Sequence, residues 1–122
     1  MDIKIDTKEK FSIVRLRESV LHANMAEGLR QTFQECHRMT SGNLILDMSQ
    51  VSSMAPEIAD LLVSEQAESY EKQHSFVICC LQKELEQWLD TGDWLELLNL
   101  TPTESEAWDI VQMEEIEREL LD

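Results

Sequence analysis

The sequence predicts an α/β fold: a mostly parallel sheet of four to five strands with an antiparallel first strand and about four helices. Three observations lead there. Strand-like runs alternate with amphipathic helical stretches along the chain. The runs at 43–48 and 75–81 are apolar on both faces, as in strands covered by helices on two sides. Finally, 122 residues, 43% of them hydrophobic, suit one packed core.

The first twenty residues read as two strands. Ile3 and Ile5 alternate with polar neighbours, Lys8-Glu9-Lys10 turns, and Phe11, Ile13, Val14 and Leu16 continue with strand character. Asn24 is expected as a helix N-cap, with Glu27 at capping-box distance, and Met25, Leu29, Phe33 and Cys36 fall on one helical face. Gly42 suits the left-handed end of that helix, and the strand at 43–48 follows. Pro56 opens a second helix, because at the first helical position its missing N–H would be unpaired anyway. Ile58, Leu61, Leu62 and Ala67 form the apolar side of that helix, with Glu65, Glu68, Glu71 and Lys72 opposite.

Residues 75–81 read as the central strand. A short helix over 83–89 turns Leu85, Trp88 and Leu89 inward and is broken by Thr91-Gly92-Asp93. Leu97, Leu98 and Leu100 form either a final short strand or an extended connector. Thr103 and Glu106 make a capping box for the last helix, whose inner side would carry Trp108, Val111, Ile116 and Leu120. No internal repeat or low-complexity linker divides the chain, so residues 1–122 are expected to form one domain.

Lys+Arg total 10 against Asp+Glu 25, a formal net charge of −15. Thirteen of the acidic residues and only two basic ones lie from Lys83 onward. That excess argues against a phosphate backbone and against an anionic lipid surface. A cationic protein partner and plain solubility remain as explanations. The polar N-terminus has no apolar signal region, and the longest wholly apolar run, 76–81, falls far short of the ~20 residues that cross a bilayer. A cytoplasmic protein without membrane insertion is expected.

Cys36, Cys79 and Cys80 read as reduced thiols. Adjacent on a strand, Cys79 and Cys80 would point to opposite faces and could hardly share a metal. His22, His37 and His74 show no ligand spacing, so no metal and no cofactor is expected. Neither a glycine-rich phosphate loop nor a G-x-S-x-G nucleophile turn is present, and no catalytic residue is assigned. The chain is expected not to be an enzyme.

The segment 43–62, NLILDMSQVSSMAPEIADLL, places a loop between a buried strand and a helix, at the sheet edge where α/β proteins bind their partners. It resembles the phosphorylation loop of the STAS domains, the family of anti-sigma-factor antagonists and of the cytosolic domains of sulfate transporters. Leu44, Ile45, Leu46, Asp47, Met48, Ser49 and Val51 match its apolar strand followed by D-[LM]-S-x-V. Further matches lie at 20–27, leading into the first helix, at 85–95, around Thr91-Gly92, and at 103–107, the S-x-x-E-A start of the last helix. The resemblance implies a single STAS-like domain and a protein-binding role.

Its departures carry equal information. Aligned through Val51 and Met54, Ala55 stands at the family's Asp, Pro56 at its first Ser, Glu57 at the phosphorylated Ser/Thr and Ile58 at its Gly. Ser19 replaces a glycine and His22 an aspartate. The expected binding loop is therefore Ser53, Met54, Ala55, Pro56, Glu57 and Ile58, with Leu62 a further apolar contact and no phosphoacceptor at the family position. Ser52 and Ser53 remain as displaced acceptors. Glu57 is either an ordinary first-turn residue or a permanent partial imitation of a phosphoserine, which carries about −1.5 to −2 charge. The expected partner is an anti-sigma factor or kinase-like regulator, with a homodimer among the options. A structural or accessory subunit of a transport or stress-signalling assembly is the alternative, followed by a small-ligand binder using the strand-end cleft.

Overall fold

Two short strands set the architecture. In the computed structural model, which describes residues 1–39 and 41–121, β4 and β6 are each four residues long and buried throughout. In chain order the elements are β1 (Ile3–Thr7), β2 (Ser12–Leu16), β3 (Val20–Leu21), α1 (Ala26–His37), β4 (Leu44–Asp47), β5 (Ser53–Met54), α2 (Pro56–Glu71), β6 (Phe76–Cys79), α3 (Lys83–Thr91), β7 (Leu100–Thr101) and α4 (Glu104–Leu121). The main sheet runs β1-β2-β4-β6-β7, antiparallel between β1 and β2 and parallel elsewhere. This is the expected single α/β domain with four helices.

Alternation along the strands divides the core in two. Val14, Leu16, Leu44, Leu46, Phe76 and Ile78 face α1, α2 and α3, where they meet Leu29, Phe33, Ile58, Leu62, Leu85 and Leu89. Phe33 and Phe76 pack edge to face, with centroids 5.5 Å apart. Ile13, Ile45, Val77 and Cys79 face the other way, onto Ala107 and Val111 of α4.

Several expectations are corrected. Asn24 caps nothing: a 3-10 turn at Ala23–Met25, closed by the Met25 N–H on the His22 carbonyl, precedes α1, and Asn24 is exposed. The strand at 75–81 is shortened to Phe76–Cys79, because Cys80 takes a left-handed φ of 65°. Of the two readings around Leu97, Leu98 and Leu100, the short final strand forms, as the two-residue β7 after a 3-10 turn at Leu95–Leu97. Thr103 does cap α4, its hydroxyl accepting from the Glu106 N–H at 3.1 Å.

The inner side of α4 is shorter than expected. Ile116 and Leu120 are 56% and 79% exposed. The second half of α4 lies over the polar beginnings of β4 and β6, not over apolar strand. There Asn43 donates to Glu115 at 3.0 Å, Arg118 donates to the Ser75 hydroxyl at 3.2 Å, and Asn99 donates to Glu114 at 3.2 Å. These polar contacts turn Ile116 and Leu120 outward. In urea unfolding, Ile78→Ala should cost about 2–5 kcal/mol, while Leu120→Ala should stay within roughly 0.5 kcal/mol of wild type.

α2 departs from its expected pattern too. Ala67 is exposed, whereas Glu65, assigned to the polar side, is buried and pairs with His37 of α1. His37 Nδ1 also lies 2.9 Å from the Gly42 carbonyl, and the Ser69 hydroxyl donates to Glu65 at 3.4 Å. Both partners of the His37 ring are acceptors, so the doubly protonated imidazolium satisfies them best. Burial opposes that charge, but the Glu65 and Gly42 hydrogen bonds and the Glu65 charge outweigh it and raise the His37 pKa. The stability the pair contributes should be fully present below about pH 6.5 and be lost as pH rises through the raised His37 value. Unfolding wild type and Glu65→Gln across that range checks this: the difference between them should shrink toward alkaline pH.

Candidate functional site

The loop after β4 is pinned at several points. At its root the Ser49 N–H donates to Asp47 at 2.9 Å, and the Met48 N–H donates to the Cys79 carbonyl at 3.1 Å. Gln82, after β6, donates to the Ser49 carbonyl at 3.0 Å and ties the two strand-end loops together. Further on, β5 pairs with β3 in parallel, Ser53 opposite Val20 and Met54 opposite Leu21. The Ser19 carbonyl accepts from both the N–H and the hydroxyl of Ser52, at 2.7 and 2.8 Å, and the Leu21 carbonyl accepts from Ala55 at 2.9 Å.

The expected binding residues divide by what this pinning does to them. Met54, Ile58 and Leu62 are buried and anchor the loop and α2 in the core. Ala55 is half-buried. Ser53, Pro56 and Glu57 are exposed, with Pro56 opening α2 and Glu57 in its first turn. The helix dipole favours a carboxylate there. Among the described residues no side chain pairs with Glu57. Of the alternative acceptors, Ser52 spends its hydroxyl on Ser19, and Ser53 belongs to β5.

Beside this surface lies a feature that sequence reasoning missed. Trp94 donates its indole N–H to Asp60, one turn into α2, at 2.9 Å, and its ring meets Trp88 with centroids 4.8 Å apart. The spacing of the two tryptophans, across the expected helix break, hid their contact. Both are half-buried, so an aromatic surface adjoins Asp60, one turn after Glu57 on α2.

A second missed group lies on the α4 face of the same sheet edge. Register places Arg15, Asp47 and Cys79 side by side on β2, β4 and β6. The expectation that Cys79 and Cys80 diverge fails, because the left-handed backbone at Cys80 returns its thiol to that face. One oxygen of Asp47 and the two sulfurs all lie within 4.8 Å of one another. Arg15 holds Glu104, the first residue of α4, through two hydrogen bonds of 2.9 and 3.1 Å, and also binds Asp6. Burial opposes ionisation of Asp47, but hydrogen bonds with Glu104 and Ser49 and the Arg15 charge outweigh it and lower its pKa. Burial raises the pKa of both thiols. The third thiol, Cys36, sits apart on α1 and is pushed up to about 11 by burial.

This topology, with a pinned loop at the carboxyl end of a buried parallel strand and a helix beginning immediately after it, defines a small α/β domain of one recognisable family. The STAS domain family model matches residues 2–107, and the chain belongs to that family. Solved structures agree in fold. An anti-sigma-factor antagonist (STAS) domain protein from Planctomyces limnophilus superposes with a TM-score of 0.76 at 17% identity, covering 92% of this chain and 99% of that one. A serine-to-glutamate variant of Moorella thermoacetica RsbS gives 0.73 at 10% identity, over 92% and 96%. The murine anion transporter Slc26a9 gives 0.73 at 17% identity, over 88% of this chain but 18% of the transporter. No curated protein matches the chain in sequence. Among the described residues, no helix is long and apolar enough to cross a membrane.

The different roles of the loop residues can be separated by stability alone. Met54→Ala should cost about 2–5 kcal/mol in urea unfolding, whereas Glu57→Ala should leave the midpoint close to wild type.

Proposed function

We propose that this chain is a non-enzymatic interaction module of the anti-sigma-factor-antagonist kind. It binds a regulatory protein, an anti-sigma factor or kinase-like regulator, through the loop and first turn of α2 at residues 53–58. The observation that carries this reading is Glu57, exposed at the mouth of α2 and unpaired among the described residues, on a loop that β3 pairs with; the sequence resemblance aligns it with the family's phosphoacceptor. A rigid surface loses little conformational entropy on binding. The contact surface consists of Ser53, Pro56, Glu57 and Asp60, with Trp94 as an aromatic anchor of the type that dominates interface energetics. Met54 and Ile58 support it from below.

Glu57 makes the charge of this surface permanent, so a kinase acting at the family position has no hydroxyl to modify. A single carboxylate supplies part of the roughly −1.5 to −2 charge of a phosphoserine. That the solved RsbS variant carries glutamate in place of a serine is compatible with such a substitution leaving the fold intact. A second reading, an accessory STAS domain of a transport or stress-signalling assembly, is favoured by the likeness to part of Slc26a9. In either case the protein acts without covalent chemistry of its own, in the cytoplasm.

Affinity purification from the native host, with wild type and Glu57→Ser side by side, tests the first reading. The variant should recover a kinase-like or anti-sigma partner that wild type releases, and should become phosphorylated on Ser in the presence of that kinase. Identical partners and no phosphorylation would refute a locked switch. Recovery of membrane-transport subunits by both forms would favour the accessory reading.

A further inference from the structure

The Asp47–Cys79–Cys80 group lies outside the binding surface proposed above, and the partner reading makes no use of it, although Cys79 and Cys80 also pack in the α4-side core. Three features distinguish it from an ordinary buried cysteine pair. First, the two thiols share a face only because Cys80 adopts φ 65°. Side chains rarely adopt that region of backbone conformation. Second, the three ligand atoms already lie within 4.8 Å of one another. In a tetrahedral zinc site, with Zn–S near 2.3 Å, neighbouring sulfurs are roughly 3.8 Å apart. Closing the group around an ion therefore needs only about an ångström of side-chain movement.

The third feature is charge. Asp47, Glu104 and Asp6 converge on one cation, Arg15, whose guanidinium is already engaged by Glu104 and Asp6. Asp47 is buried and faces the two thiols. A buried carboxylate in this position gains from a cation, and the two sulfurs select which cation it is. Hard ions such as magnesium and calcium prefer oxygen ligands, while two thiolates and a carboxylate suit a borderline-soft d10 ion. Cys79 is fully buried and Cys80 half-exposed, so Cys80 provides the way in.

We infer that Asp47, Cys79 and Cys80 form a binding site for one thiophilic divalent cation of the zinc type. On binding, each thiol gives its proton to solvent as its sulfur bonds to the metal, and no oxidation is involved. Because Asp47 also accepts the Ser49 N–H, the ion would brace the root of the loop after β4. The inference does not depend on the identity of the protein partner.

Titrating the reduced full-length chain with cadmium(II), under anaerobic conditions, tests it through the ultraviolet thiolate-to-cadmium charge-transfer band. The band should saturate at one cadmium per chain with release of two protons, and excess magnesium should not displace the ion. Loss of an outer-shell partner alone typically costs about 10–100-fold in metal affinity, so Cys80→Ser should weaken binding by at least that much. Asp47→Asn should weaken it as well, while Cys36→Ser should bind as wild type does. Cys80 is half-exposed, so Cys80→Ser is the variant best suited to retain the fold, which circular dichroism verifies. A wild-type chain without the band, a band that survives Cys80→Ser, or a band that disappears with Cys36→Ser would each overturn the assignment. None of these outcomes bears on the Glu57 reading, whose test measures protein partners.

Discussion

Burial of β4 and β6 on both faces is the constraint on which the other elements depend. A four-residue strand with no exposed side must hand alternate side chains to two separate layers. One layer is built by α1, α2 and α3 and holds most of the large apolar residues. The other is supplied by the first half of α4 alone, through Ala107 and Val111. The thinness of the second layer explains why α4 extends past the apolar strand and is held there by Asn43, Ser75 and Asn99. Those polar groups stand at the starts of the strands, where the backbone enters the sheet and its polar neighbours need partners.

The same constraint positions what lies at the strand ends. Parallel pairing in register brings Arg15, Asp47 and Cys79 into one row at the carboxyl edge, and the chain must turn out of the sheet there. On one side the exit from β4 becomes the loop that β3 holds in place, ending in the first turn of α2 with Glu57 exposed. On the other, the exit from β6 bends at Cys80 and directs a second thiol toward Asp47. The pinned loop and the thiol group are thus two faces of one sheet edge, linked through Asp47 and Ser49.

The acidic excess has a similarly local meaning. Much of the charge after Lys83 lies on α4, where Glu114 and Glu115 are engaged by Asn99 and Asn43 and Glu104 by Arg15. Part of it therefore orients the helix on the sheet, besides keeping the surface solvated. Glu57 differs from these in its place, exposed in the first turn of α2 at the end of the pinned loop.

Periodicity made the sheet, its helices and their order legible, because strand and helix repeats differ and the two central runs are apolar on both faces. The match through Leu44–Asp47 and Val51 likewise located the loop. Other features were not legible. That Glu65 is buried follows from His37 on another helix, and that Ile116 and Leu120 are exposed follows from where the strands begin. The pairing of β3 with β5 joins two-residue segments too short to carry a pattern. A local repeat specifies which face a residue takes within its own element. What that face meets is decided by elements distant in the chain, and only the tertiary structure brought Trp94 to Asp60 and turned Cys80 toward Asp47.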